Sequence, residues 1–171
     1  MFAHGIEGDI LLYYDVVPLD CELFFQMHRR ILVQAAVDLS AHTVSYTHLF
    51  LAVARLTYLL ALENGVAADR EVIYAAGLLH DMGRYLQYEN GTPHDEAGVM
   101  LAGPILQDCG FSEGESAEVL KLIGSHRTKS DKADLLGLFY RADKLSRNCF
   151  LCPAQADCNW PEEKKNLEIR L

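Results

Sequence analysis

Apolar residues recur at three- and four-residue steps in segment after segment of this chain, and that is the period of a helix with one face buried. After Pro18 and Asp20, the residues Leu23, Phe24, Met27, Ile31 and Ala35 follow it, predicting a helix that ends near Leu39. Thr43 or Ser45 can cap a second helix over roughly residues 44–63, stopped by Asn64-Gly65. Asp69 caps a third, about residues 70–81, and Asn90-Gly91-Thr92-Pro93 reads as a turn. Helix resumes over 94–109, with Gly103-Pro104 expected to kink it. Ser112 and Glu115 form a capping box for a helix to about Ser125, and a further helix fits 133–149. Only residues 9–17 alternate in a way that could make a strand. The expected fold is one all-α domain, a bundle of about six or more helices. It divides into an N-terminal helix (18–40), a core (40–148) and a cysteine-bearing tail (149–171).

Charge narrows what such a bundle can bind. The formal net charge is −9 over 171 residues. That surface repels phosphate backbones and anionic lipids, which argues against nonspecific nucleic-acid binding and against a membrane partner. A small anionic substrate stays open if a metal or a local Arg/Lys cluster inverts the field. Residues 1–18 lack the basic start and continuous apolar stretch of a signal peptide. The greasiest helix, around 49–62, is interrupted by Arg55 and is too short to span a bilayer. The expected location is the cytoplasm. Five cysteines, an odd number, then point to free thiols or metal ligands over disulfides.

The sharpest local feature is "AAGLLHDMGR", residues 75–84, in which a run of small and greasy residues ends on His80-Asp81 and breaks away through Gly83. Other imidazoles and carboxylates sit at or near helices: His48 on the second, His94 opening the fourth, His126 after the fifth and Asp143 on the last. In a chain that must bundle, these side chains can converge on one cavity. Neighbours on a helix point about 100° apart, so His80 and Asp81 can still reach one ion just beyond the helix end. Nitrogen and carboxylate ligands suit Fe, Mn, Co, Ni or Zn.

The ordered pattern His48, His80-Asp81, His94, His126, Asp143 resembles that of the HD-domain superfamily of metal-dependent phosphohydrolases. The local contexts "YTHLFLAVARLTYLLA", "AAGLLHDMGR", "PHDEAGVMLAGPIL", "VLKLIGSHR" and "YRADKLSR" are similar to the family's motifs and cover roughly residues 40–148. The resemblance implies a helical fold and a divalent metal on His48, His80, Asp81 and Asp143. His94 and His126 match positions that hold a second metal, with Asp81 bridging. It also implies hydrolysis of a phosphoester or phosphoanhydride of a nucleotide or other small phosphate compound. Two divalent ions would supply hydroxide at neutral pH and screen the phosphate charge. Lys144, Arg147, Arg84 and Arg127 are candidates to hold phosphate oxygens. The glycine-tyrosine-proline signature of the branch that degrades cyclic di-GMP is missing. The competing expectation is a regulatory module that binds nucleotide or metal with little turnover.

The tail carries its own pattern. Cys149, Cys152 and Cys158, in "NCFLCPAQADCNW", have a C-x2-C-x5-C spacing that suits zinc or an iron–sulfur cluster. Cys21, Cys109 and His28 are candidates for a fourth ligand. His4 and His42 have no partners in the sequence and are expected to be structural or exposed. The N-terminal helix, with Phe24 and Phe25 both apolar, could pack on its own domain or on a second copy in a homodimer.

Overall fold

The computed structural model describes residues 43–168. Six α-helices occupy them: α1 (Thr43–Glu63), α2 (Arg70–Leu79), α3 (Arg84–Asn90), α4 (His94–Asp108), α5 (Glu113–Ser125) and α6 (Leu135–Leu145). Two 3-10 turns, Cys149–Leu151 and Glu162–Lys164, follow. Among the described residues there is no strand, and the all-α expectation holds. No helix among them is long and apolar enough to cross a membrane. The helix expected at 18–40 and the possible strand at 9–17 lie outside the described residues.

Three of the six helix starts are set by side chains that accept the unpaired N–H groups of the first turn. Asp69 accepts from Glu71 N at 2.7 Å and Val72 N at 3.3 Å. Ser112 and Glu115 make the reciprocal capping box at the head of α5. Asp134 accepts from Gly137 N at 2.9 Å to start α6. α3 closes on Gly91, whose φ of 82° is cheap only for glycine.

Three boundaries differ from the sequence expectation. α2 stops at Leu79, so His80-Asp81 lies just past the helix and not within its last turn. α6 stops at Leu145, and the chain then turns into the 3-10 segment at Cys149. Residues 84–90, which fall between the helices expected from the sequence, form α3, a short helix with no buried residue and therefore no apolar stripe to reveal it. Pro104 lies inside the span of α4.

α2 is the strut of the bundle. Seven of its ten residues, Val72, Ile73, Ala75, Ala76, Gly77, Leu78 and Leu79, are buried, so it is apolar nearly all round. It packs against α1 on one side and α5 on another, with α6 packed on α1 and α4 against α5. A Cβ on Gly77 would lie 2.8 Å from Ala54 Cβ, which is why α1 and α2 can approach so closely there. The core runs from Phe50 and Leu51 of α1 through Leu78 and Leu79 to Leu122 of α5 and Phe139 of α6. A smaller cluster, centred on Leu60, Ile73 and Leu138, closes the opposite end. The rigid strut therefore delivers its C-terminal His-Asp pair into the middle of the bundle.

Candidate metal centre

Three histidines reach the centre, each with one ring nitrogen already engaged. His80 follows α2 and is 1% exposed; its Nδ1 lies 2.8 Å from Gly77 O. His126 follows α5, is also buried, and its Nδ1 lies 2.6 Å from Ile123 O. His94 opens α4, with Nδ1 2.5 Å from Gln87 Oε1. A backbone carbonyl only accepts, so the neutral rings of His80 and His126 carry the proton on Nδ1 and present a lone pair on Nε2, and His94 does the same with the Gln87 amide oxygen toward it.

Those lone pairs converge on Asp81. Asp81 Oδ1 is 3.4 Å from His94 Nε2 and 3.5 Å from His126 Nε2. Asp81 Oδ2 is 3.6 Å from His80 Nε2, which in turn is 3.9 Å from Asp143 Oδ1. One carboxylate thus faces two ligand sets, one with each oxygen. His94 Nε2 and His126 Nε2 stand only 3.1 Å apart.

The donor set fits a divalent cation. His80 Nε2 and Asp81 Oδ1 are fully buried and make no hydrogen bond. A buried acceptor without a donor is costly, and here acceptors face acceptors. A cation between them removes that cost. Asp81, His94 and His126 each offer a ligand atom within 4.8 Å of the others. They form the one such group of three or more found among the described residues. Mixed imidazole and carboxylate donors suit Fe, Mn, Co, Ni or Zn.

Electrostatics keeps the ligands in their metal-binding forms. Burial pushes the His80 imidazole pKa down, against the pull of the Asp81 and Asp143 carboxylates. Burial likewise lowers His94, to about 4, with Arg84 and His126 adding to the shift. Both rings are neutral at pH 7. Burial works to raise the Asp81 pKa, but His126, His80 and Arg84 outweigh it and hold the carboxyl well below the usual carboxylate range.

Cations line one edge of the centre. Arg84 Nε is 2.7 Å from Asp81 Oδ2. Lys144 Nζ pairs with Asp143 Oδ2, and Arg147 Nη2 lies 3.9 Å from the same oxygen. The Arg147 guanidinium also stacks 3.8 Å above the Trp160 ring. Lys144 further lines a cleft of about 380 Å³ with Ser130, Lys132, Tyr140 and Arg141. Arg127 instead pairs with Asp95 at 3.0 Å.

Of the residues singled out in the sequence, His80, Asp81, His94, His126 and Asp143 are brought together, with Lys144, Arg147 and Arg84 beside them. His48 lies on α1, but its side chain is outside the described residues, as are Cys21, His4, His28 and His42. In the tail, Cys149 is half-buried and Cys152 and Cys158 are exposed. The tail thiols belong to no three-ligand group among the described residues. Two features have no signal in the sequence: Gln87 behind His94, and the tail's hold on α6. Asn166 Nδ2 donates to Lys144 O, Leu145 O and Arg147 O at 2.7, 3.0 and 3.1 Å.

Comparison with known proteins agrees with this geometry. The HD domain family matches residues 46–148, the segment that runs from within α1 to just past α6 and contains His48, His80, Asp81, His94, His126 and Asp143. The chain belongs to the HD domain family. An uncharacterized protein of Clostridium beijerinckii (strain ATCC 51743 / NCIMB 8052) is 42% identical over 120 residues, covering 70% of this chain and 76% of that one. No solved structure matches.

Proposed function

We propose that this protein is a metal-dependent phosphohydrolase that cleaves a phosphoester or phosphoanhydride bond in a nucleotide or other small phosphate compound. The observation that carries the reading is the Asp81 carboxylate, with Oδ2 toward His80 and Oδ1 toward His94 and His126. His48, His80, Asp81 and Asp143 would hold one divalent cation, and Asp81, His94 and His126 a second. When bound, such ions supply a water activated at neutral pH and a counter-charge for phosphate.

The chain's own groups then have distinct tasks. The Nδ1–H···O bonds of His80, His94 and His126 lock the rings, so ligand geometry costs no reorganisation. Lys144, Arg147 and Arg84 bind and orient phosphate oxygens, and offset the repulsion of a chain with net charge −9. Trp160 holds the flat face of Arg147, leaving the guanidinium edge for an anion. The cleft along α6 has room for the remainder of a small substrate. The cytoplasm is the location that goes with this reading, supported by an odd number of cysteines that suits a reducing compartment.

A panel of phosphomonoesters, phosphodiesters and nucleoside polyphosphates, assayed for phosphate release with Mn²⁺ or Fe²⁺, tests the proposal. Turnover abolished by Asp81→Asn is the expected result. Tight metal binding with no turnover across the panel would overturn it in favour of a regulatory binding module. A soft metal or iron–sulfur cluster on Cys149, Cys152 and Cys158 is a separate proposal supported by their spacing. Acid-labile sulfide, or zinc lost in Cys152→Ser, decides it.

A further inference from the structure

The three central histidines are held in two different ways. His80 and His126 each follow a helix C-terminus, where carbonyls of the last turn lack helical partners. Each ring gives its Nδ1–H to the carbonyl three residues back, Gly77 O or Ile123 O. The backbone itself supplies those supports. His94 cannot be held that way. It is the first residue of α4, and the three residues before it, Gly91–Pro93, are irregular, so no helical turn lies behind it to offer a carbonyl.

A side chain takes the place of the missing carbonyl. Gln87 Oε1 lies 2.5 Å from His94 Nδ1. Gln87 is on α3, the short helix that buries no residue of its own. Its backbone is pinned too, because Gln87 O accepts the N–H of the left-handed cap Gly91. At the other end of α3, any Cβ on Gly83 would collide with His94 O and Gly98 N, so the head of α3 sits directly against the start of α4. A helix with no core role is thus fixed at both ends with one amide aimed at a ligand ring.

We propose that Gln87 is the positioning residue for His94: it fixes the Nδ1–H tautomer, turns Nε2 toward Asp81 and so completes the second cation position formed by Asp81, His94 and His126. The part concerning the cation rests on the metal-centre reading above; the part concerning the tautomer does not. The amide has a competing orientation. With its NH₂ toward His94, Nδ1 would accept and Nε2 would carry the proton toward His126 Nε2. That arrangement would spoil the ligand.

The experiment has two arms on wild type, Gln87→Leu and Gln87→Glu. Gln87 is exposed apart from its amide contact, so neither change threatens the fold. In the first arm, ¹⁵N NMR of ring-labelled, metal-free protein reads the His94 tautomer. Nδ1–H in wild type and Gln87→Glu, and a mixture in Gln87→Leu, is expected. Nε2–H in wild type overturns the proposal. In the second arm, Mn²⁺ binding is measured by equilibrium dialysis. Gln87→Leu should weaken the second equivalent by about 10–100-fold, the usual effect of losing an outer-shell partner, and Gln87→Glu should restore it. Equal second-site affinity in all three proteins overturns the proposal. If wild type binds no Mn²⁺, the metal-centre reading and the cation half of this inference fall together, and the tautomer arm still decides the rest.

Discussion

The His-Asp centre and the C-terminal tail both looked like metal sites in the sequence, yet the molecule treats them in opposite ways. At the centre, ligands come from the ends of helices packed around a buried strut. Each ring is oriented by a carbonyl or amide oxygen, and two buried acceptors are left for a cation. In the tail, three cysteines have suitable spacing but sit in turns with exposed or half-buried side chains. The tail's physical grip on the domain comes from Asn166 and Trp160. Spacing alone shows which residues could meet; burial and outer-shell contacts show which are held for a ligand.

That contrast can be broken in order of effect. Asp81→Asn removes one charged oxygen of the shared carboxylate and should abolish both metal retention and turnover, read by elemental analysis and phosphate release. Leu78→Ala, at a fully buried position of the strut, should cost roughly 2–5 kcal/mol in urea unfolding and loosen metal binding with it. Asn166→Ala removes the two amide N–H donors shared among the carbonyls of Lys144, Leu145 and Arg147 and should cost about 1–3 kcal/mol by the same measurement. It should also raise KM more than it lowers kcat if Arg147 binds phosphate. Cys152→Ser should stay within about 0.5 kcal/mol in metal-free protein, as an exposed surface change does. A large loss there would mean the tail is as structural as the strut.

Acid sharpens the same comparison. His94 has its pKa lowered by burial from the ordinary 6.5 to about 4. Between those values the unfolded chain binds a proton that the folded chain refuses, so stability rises with pH across this window. Metal-free protein should therefore lose stability as pH falls from about 6.5 toward 4, and His94→Gln should flatten that slope. Buried His80 shifts in the same direction and leaves a residual slope. Urea midpoints at pH 7 and 4.5 for both proteins measure the difference. An unchanged slope in His94→Gln would mean that His94 is not buried neutral.

Much of this was legible in the sequence because local chemistry carries it. Asp69, Ser112 and Glu115 cap helices by contacts within three residues, and the strut shows as an unbroken small-apolar run ending on His80-Asp81. The order of His94, His126 and Asp143 suggested that they meet, and the structure places the first two beside Asp81 and the third beside His80. α3 was hidden because a seven-residue helix with no buried face leaves no period to read. Gln87 was hidden with it, since nothing in the sequence distinguishes an amide that meets a histidine seven residues later. The stacking of Arg147 on Trp160 and the clasp of Asn166 on α6 depend on how the tail folds back, which no spacing encodes.

The most direct test of the central claim, that one carboxylate serves two ligand sets, is metal stoichiometry on protein purified without oxygen. Wild type, Asp81→Asn, His94→Ala and Asp143→Ala would be compared. The shared-carboxylate geometry predicts two equivalents in wild type, one in each of His94→Ala and Asp143→Ala, and none retained in Asp81→Asn. One equivalent in wild type that survives His94→Ala would contradict it.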